Sequence, residues 1–225
     1  MEGGAAGSLG PADLEEIGIR VAAVNTLEIA IAPGLQQVRA MGGLARFFGW
    51  DGPLVAVSLR GERAGRGEES GWRARRLPAV VKEVADELTV VSPVDGSTHR
   101  FSTSQVEADA ADLGAATMRD IAPSFDLQWW RSAEEPIPST GWVVSSVPAD
   151  AARAGHFWGR SGWCAIASFT DAAAPQPMLD GCPCRGCTVA GIGYLAHLWR
   201  QREITATHLL GWHNTWQARS MVEDG

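Results

Sequence analysis

Short apolar runs alternate with segments of helical periodicity over the first half of the chain. Residues 17–24 and 54–58 are continuous apolar runs, which predict two buried strands. Residues 35–41 repeat apolar positions at helical spacing and stop at two glycines, and residues 44–49 predict a further helical turn. An acidic turn after Pro11 predicts a short helix before the first strand. Because strands and helices alternate, this order favours a parallel α/β sheet.

The middle of the chain carries a hairpin pattern. Residues 87–91 are strand-like, Asp95-Gly96 is a strong turn signal, and residues 99–101 predict the return strand. Ser102 is placed to cap a helix that ends near residue 113. The tryptophan- and proline-rich residues 124–148 predict irregular structure.

The last third of the chain alternates short predicted elements with one linker. Residues 149–154 predict a helix and residues 165–169 a strand. A linker over residues 175–180 leads into a cysteine cluster, and residues 188–202 and 214–221 predict two helices.

Composition is that of an ordinary soluble domain, with 45% hydrophobic and 20% charged residues. The formal charge of −7 means that any contact with nucleic acid must come from a local basic patch. Residues 60–76 hold six arginines and four glycines, and are interpreted as a solvated loop with a phosphate-binding loop as the alternative. Neither a signal peptide nor an apolar run of membrane-spanning length is recognisable, so we expect a cytoplasmic protein without membrane contact.

Three of the four cysteines fall within six residues, in the order Cys182-Pro183-Cys184-Arg185-Gly186-Cys187. In a reducing compartment such a cluster indicates metal rather than disulfide. With a histidine as fourth ligand it predicts one closed, structural zinc site, because four protein ligands leave no position for water. His213 is the preferred fourth ligand, and His197 and His208 are the alternatives.

One glycine, one proline and one further cysteine complete this interpretation. Gly186 is expected to let the cysteine loop turn sharply, and Pro183 to stiffen it. Cys164 lies in an apolar setting and is interpreted as a buried free thiol.

The stretch CPCRGCTVAGIGYLAHLWRQREITATHLLGWHNTWQARSM resembles the zinc-binding subdomain of the tRNA-guanine transglycosylase family. That subdomain has a C-x-C-x-x-C motif, a Tyr-Leu-x-His-Leu helix and a later His-Asn pair. Tyr194, His197 and Asn214 fall on the flanking positions of the pattern. The resemblance implies that the metal ligands are Cys182, Cys184, Cys187 and His213.

The first half is similar to the same family in IRVAAVNTLEIAIAPG, GGLARFFGWDGP and SPVDGSTHRFS. In the family these segments open a (β/α)8 barrel. Since a closed barrel typically needs about 250 residues, the expected fold is α/β, with a reduced or incomplete (β/α)8 TIM-barrel-like domain and a C-terminal zinc-binding subdomain. The expected division is a disordered N-terminus over residues 1–10, the barrel-like domain over 11–180 and a helical zinc subdomain over 181–225.

The aspartates that the family uses for catalysis are not found at the aligned positions. The family's Asp-Ser-Gly-Gly loop aligns with residues 57–60, and no aspartate occurs from residue 52 to 85. None occurs between residues 151 and 170 either, where the nucleophile is expected. The base-recognising aspartate aligns near Ala122. The remaining carboxylate candidates are Asp126, Asp150 and Asp171.

The resemblance therefore implies a protein of the glycosyltransferase class linked to 7-deazaguanine, queuosine-type base modification. Because base exchange needs a carboxylate nucleophile and an acid/base partner, we expect a non-catalytic or partner-dependent paralogue. The alternatives are an active transglycosylase with relocated carboxylates and a small zinc-stabilised domain. The expected partners are tRNA or another nucleic acid, and a second copy or a catalytic transglycosylase in a dimer. Nucleic-acid contact is assigned to Arg185, Arg200 and Arg202, for which a solvated helix face is the alternative.

Overall fold

The computed structural model describes about two thirds of the chain: residues 7–25, 29, 33–57, 79–84, 87–91, 98–102, 116–117, 127–130, 132–138, 141–170 and 175–223. The chain divides into two compact units that interleave along the sequence. The first consists of Met1–Gly4 and Arg20–Ser124, and the second of Ala5–Ile19 and Phe125–Gly225. The predicted boundary at residue 181 falls inside the second unit and stays a prediction.

Helices and strands are numbered here in chain order. The helices are α1 Pro11–Ile17, α2 Leu35–Ala40, α3 Leu44–Phe48, α4 Val147–Arg153, α5 Arg185–Val189, α6 Ile192–Arg200 and α7 Ile204–Glu223, with a 3₁₀ turn at Ile166–Ser168. The strands are β1 Ala22–Asn25, β2 Leu54–Val57, β3 Ala79–Val84, β4 Glu87–Val91, β5 Thr98–Ser102, β6 Ala116–Thr117, β7 Leu127–Trp130, β8 Trp142–Ser145, β9 His156–Gly159 and β10 Gly162–Ala165.

A parallel sheet in the order β1-β2-β6 organises the first unit. Ala22 pairs with Leu54, and Val55 pairs with Ala116. Helices α2 and α3 lie between β1 and β2 in sequence, as a parallel crossover requires. The α/β class is therefore confirmed, while the reduced (β/α)8 barrel stays a prediction.

The predicted hairpin is confirmed as β4 and β5, which pair antiparallel with Glu87 opposite Ser102. Strand β3 pairs with the other side of β4 and was missed. The predicted turn at Asp95-Gly96, the predicted helix after Ser102 and the arginine-rich loop at 60–76 lie outside the described residues.

The prediction of a strand over residues 17–24 is wrong at its start. Ile17 is the last residue of α1, and Gly18 ends the helix in the left-handed conformation with φ +91°. Strand β1 begins only at Ala22. The apolar run is divided between two elements. Leu14 and Ile17 form the buried face of α1, and Ala22 and Val24 are buried in the sheet.

Helix α7, 20 residues long, is the main element of the second unit. It contacts α1, α4, α5, α6 and β9, and buries Leu209, Leu210 and Trp212. The first residues of the chain also belong here: Leu9 is buried, and the Ser8 hydroxyl donates to the Thr207 carbonyl at 3.0 Å. The disorder predicted for residues 1–10 is thus wrong for residues 7–10, and residues 1–6 lie outside the described part.

Three further predictions in the second unit are wrong. Residues 124–148 were expected to be irregular, but β7 and β8 pair in parallel within them. The strand expected at 165–169 is the 3₁₀ turn, since β10 ends at Ala165. The single helix expected over 188–202 is broken between α5 and α6, where Gly191 is extended. A Cβ on Gly191 would lie 2.8 Å from the Pro175 backbone, so the close approach of that segment fixes the break.

Across the described ranges, no helix combines the length and the apolar character that crossing a bilayer requires.

Candidate metal centre

Cys182 and Cys184 lie on the segment that leads into α5, and Cys187 lies in the first turn of that helix. Gly181, with φ +78°, turns the chain immediately ahead of Cys182. Cys184 is the extended residue that precedes α5, and Cys187 follows one turn later inside the helix. The thiols therefore converge because an extended residue is followed directly by a helical turn.

The role predicted for Gly186 is wrong. Its φ is not positive, and it lies within α5, where it packs against the backbone of α7. A Cβ at Gly186 would lie 2.6 Å from the Leu209 carbonyl oxygen and 3.3 Å from Cβ of His213. The glycine is needed for close approach of the two helices, not for a sharp turn.

His213 projects from the middle of α7 toward the three thiols. Its Nδ1 lies 3.7 Å from Sγ of Cys182, 3.4 Å from Sγ of Cys184 and 3.3 Å from Sγ of Cys187. The four ligand atoms all lie within 4.8 Å of one another. Tetrahedral zinc, with bonds of about 2.3 Å to sulfur and about 2.0 Å to nitrogen, requires an S···N separation of about 3.5 Å. The donor set and its spacing thus fit one tetrahedral metal ion.

The second ring nitrogen of His213 fixes the orientation of the imidazole. Nε2 lies 2.7 Å from the carbonyl oxygen of Trp158, which can only accept, so Nε2–H donates and Nδ1 faces the sulfurs with its lone pair. The ring is fully buried, with 0% of the residue exposed. This carbonyl partner was not identifiable from sequence, because β9 is 55 residues from His213.

Asn214, next to the ligand, fastens the same helix to its surroundings. Its Oδ1 accepts from the amide of Trp158 at 3.0 Å, and its Nδ2 donates to the carbonyls of His156 and Pro148 at 2.9 and 3.2 Å. Asn214 therefore binds the backbone N–H of Trp158, and His213 binds its carbonyl oxygen. This pair positions α7 against β9 and the start of α4.

The two alternative histidines lie elsewhere. His197 is exposed on α6. Nδ1 of His208 lies 3.0 Å from the Ser8 carbonyl and 3.9 Å from the carboxylate of Asp13. Among the described residues, the cluster with metal-ligand spacing contains only His213 as a histidine.

The pKa values of Cys182, Cys184 and His213 depend on the hydrogen bonds among the clustered side chains. Hydrogen bonds from the thiols of Cys184 and Cys187 hold the pKa of Cys182 far below its ordinary value, and the same coupling raises the pKa of Cys184. Burial disfavours the His213 imidazolium most strongly, but hydrogen bonds with Cys182 and Cys187 outweigh it and raise the pKa of His213 to about 9. Without a metal, these shifts in pKa favour a proton on Nδ1 of His213, the nitrogen whose lone pair a metal ion would take. Metal binding would displace these protons, since the ligands must be deprotonated.

The three arginines assigned to nucleic acid are exposed, and each has a different setting. The Arg185 guanidinium lies 5.4 Å from the ring centroid of Trp212 and 3.7 Å from the carboxylate of Glu16. Arg200 donates to the Phe169 carbonyl at 3.0 Å. Arg202 has φ +59° in the turn between α6 and α7.

Of the three carboxylate candidates, only Asp150 lies in the described part of the chain. It sits in the first turn of α4, accepts a hydrogen bond from the Ser146 hydroxyl at 2.9 Å and pairs with Arg153. This is the setting of a helix-start carboxylate. Asp126 and Asp171 lie outside the described residues.

Cys164 is a free, half-buried thiol rather than a fully buried one. Its Sγ lies 3.5 Å from the Gly162 carbonyl, and it lines an open cleft of about 390 Å³. The ion pair of Arg160 and Asp180, at 3.7 Å, lines the same cleft and is largely exposed. Asp150 does not line this cleft.

The fold and the site together define an α/β protein with a four-ligand Cys₃His centre that joins α5 to α7. The family model described as queuine tRNA-ribosyltransferase matches residues 142–224, which include all four ligand residues. Over these residues the chain is similar to this family, the tRNA-guanine transglycosylases.

Three similar proteins carry the name queuine tRNA-ribosyltransferase. The protein of Solidesulfovibrio magneticus is 33% identical over 111 residues, which are 49% of this chain and 27% of the relative. That of Nitrosospira multiformis is 35% identical over 95 residues, 42% of this chain and 23% of the relative. That of Thermotoga neapolitana is 33% identical over 119 residues, 52% of this chain and 28% of the relative. The chain thus matches about a quarter of the length of these relatives.

Proposed function

We propose that this protein is a tRNA-guanine transglycosylase-like component of 7-deazaguanine, queuosine-type base modification that lacks base-exchange chemistry of its own. It acts as a non-catalytic or partner-dependent paralogue. The observation that carries this proposal is a contrast: the four metal ligands are present and converge, whereas Asp150 is engaged at the start of a helix.

Zinc is the metal that best suits the centre. Three thiolates and one imidazole form a soft to borderline donor set, and their spacing matches tetrahedral coordination. Because four protein ligands fill the tetrahedron, the ion has no position for water or substrate and its role is structural. It fastens α5 to α7, so that residues 181–225 act as one helical subdomain.

Exposed apolar side chains on these helices support a protein partner. Of the four large apolar side chains that are exposed among the described residues, three lie on α5, α6 and α7: Val189 at 59%, Tyr194 at 53% and Ile204 at 66%. We propose these three side chains as contact positions for a protein partner. The proposed partner is a second copy of this chain or a catalytic transglycosylase, which would supply the missing carboxylates.

The proposed nucleic-acid partner is tRNA, in line with the name of the similar proteins. Arg185, Arg200 and Arg202 supply the local positive charge on a chain whose net charge is −7. The proposed location is the cytoplasm.

The decisive experiment is incorporation of labelled guanine into tRNA by the purified zinc-loaded protein. We expect none from this protein alone, and stable co-purification with a catalytic transglycosylase when the two are co-expressed. Incorporation by the protein alone that is abolished by Asp126→Ala, Asp150→Ala or Asp171→Ala would instead establish an active enzyme with relocated carboxylates. Failure to co-purify, together with failure to bind tRNA, would contradict the partner-dependent role.

A further inference from the structure

One side chain outside the ligand set reaches the metal centre. Gln217 follows His213 by one helical turn on α7, so the two side chains lie on the same face of the helix. Nε2 of Gln217 lies 3.0 Å from Sγ of Cys182 and donates an N–H···S hydrogen bond. Helix α7 thus provides both a ligand and a donor to another ligand, one turn apart.

The sulfur that receives this bond is at the edge of the cluster. Cys182 is half-buried, whereas Cys184 is almost completely buried. Sγ of Cys182 also lies farthest from Nδ1 of His213, at 3.7 Å, compared with 3.4 and 3.3 Å for the other two sulfurs. Cys182 lies three residues before α5, and its amide donates to the Leu179 carbonyl at 3.2 Å. Cys182 is therefore the ligand that lies outside the helix and farthest from the imidazole.

A hydrogen bond to a metal-bound thiolate has definite chemical consequences. Zinc with three thiolates and a neutral imidazole carries a net charge of −1, and this charge resides largely on the sulfurs. An N–H donor stabilises that charge and makes the sulfur less basic and less nucleophilic. The sulfur is then harder to protonate or to attack with an electrophile. Partners of this kind typically change metal affinity by 10- to 100-fold.

We propose that Gln217 is a positioning residue of the metal centre, which orients Cys182 through the N–H···S bond and keeps its sulfur bound to the metal. The proposal rests on the metal site described above and not on any role in base modification. The sequence did not reveal it, because a glutamine is not a metal ligand and nothing in its spacing singles it out.

Cobalt provides the test, because Co²⁺ occupies thiolate sites and its sulfur-to-metal charge-transfer band reports on the sulfur. The informative variant is Gln217→Met, which keeps the length and helix propensity of the side chain and removes the donor. We expect Co²⁺ to bind about 10-fold more weakly and to be lost faster to a chelator. The charge-transfer band should move to longer wavelength, because the sulfur lone pairs are no longer stabilised.

A matched control is Gln37→Met, the same replacement at an exposed position of α2 in the first unit. It should leave Co²⁺ affinity and the spectrum unchanged. Gln217→Glu is the second variant, since it keeps the shape, lacks the donor and places negative charge beside the thiolate; we expect a greater loss than with Met. This variant also keeps the test decisive if Gln217→Met does not fold.

Wild-type affinity and an unshifted band in both Gln217 variants would overturn the proposal. A wild-type protein that binds no Co²⁺ would overturn it together with the metal centre. The base-exchange assay has no bearing on either readout, so a failure of the proposed function would be seen separately.

Discussion

The metal-bearing helices and the parallel sheet of the first unit are stabilised in different ways. Helices α5 and α7 are joined by four side chains whose ligand atoms meet within 4.8 Å. Strands β1 and β2 are joined by four successive pairs of residues, from Ala22–Leu54 to Asn25–Val57, and by apolar burial spread along them. The stability of the metal-bearing helices therefore depends on the identity of a few residues. The stability of the sheet depends on the apolar character of many.

This difference explains what substitution does to each region. In the sheet, replacing the buried Leu54 with Val should cost about 1 kcal/mol, because burial is roughly additive in area. At the metal centre one ligand cannot be exchanged without loss of the ion, because no neighbouring group completes the tetrahedron. The metal-bearing helices are therefore expected to be sensitive at few positions and tolerant elsewhere.

The largest expected effect comes from removing the metal. His213→Ala should abolish stoichiometric zinc binding and loosen the packing of α5, α6 and α7 against the rest of the second unit. The reason is that a metal binding free energy of about 10 kcal/mol or more is coupled to folding at such sites. Metal analysis and hydrogen exchange measure the two effects. Amides of residues 182–223 should lose protection, while those of β1 and β2 should keep theirs.

Chelation of zinc from the wild-type protein is the matching control and should reproduce the exchange pattern of His213→Ala. Full zinc content in the variant would show that another group serves as the fourth ligand. Equal loss of protection in β1 and β2 would show that the two regions do not differ in the way argued here.

The second largest effect is expected at Asn214, which joins the metal-bearing helix to β9 without touching the metal. Asn214→Ala leaves the Trp158 amide and the carbonyls of Pro148 and His156 without their partner. Unsatisfied buried groups cost about 1–3 kcal/mol each, partly relieved by relaxation, so we expect a loss of about 3 kcal/mol. Denaturant unfolding of zinc-loaded protein measures it.

Thr215→Ala, at the next position of α7, is the control and should change stability by less than about 0.5 kcal/mol. A loss at Asn214 no larger than at Thr215 would mean that the metal alone holds the helix in place.

Glycine in the cysteine loop gives a smaller effect with a specific cause. Gly186→Ala should cost about 2 kcal/mol and weaken metal binding, because its Cβ would meet the Leu209 carbonyl and force α5 away from α7. Gly162→Ala is the control that distinguishes a steric clash from backbone strain. Gly162 has φ +103°, but no atom lies within 4 Å of its Cβ position. That variant should lose about 1 kcal/mol and keep its metal affinity. Equal metal affinity in the two variants would contradict the close-approach explanation.

The metal cluster was predictable from sequence because it depends on residue identity. Three thiols in six residues already indicated a metal, and His213 was preferred over His197 and His208 before the structure showed which one faces the sulfurs. The starts of α1, α2 and β2 were predictable for a related reason, since proline, glycine and apolar runs mark them locally.

Features set by distant contacts were not predictable. The break at Gly191 depends on the backbone of Pro175, and the hydrogen bond of Gln217 depends on a thiol 35 residues away. Strands β7 and β8 lie in a segment rich in tryptophan and proline, whose local signals favour irregular structure. Their parallel pairing is a tertiary preference that overrode those signals.

The smallest expected effect concerns Asp150, the one carboxylate candidate whose setting is described. Its pair with Arg153 is about one third exposed on both sides, so solvent screening leaves little energy in it. Asp150→Asn keeps an oxygen that can accept from Ser146 and should cost less than about 1 kcal/mol. Base exchange by a complex with a catalytic transglycosylase should be unchanged, because the carboxylate supports the start of α4. If the exchange rate fell by orders of magnitude while thermal stability stayed the same, Asp150 would belong to the chemistry. The proposed contrast between converging metal ligands and a carboxylate engaged at a helix start would then no longer hold.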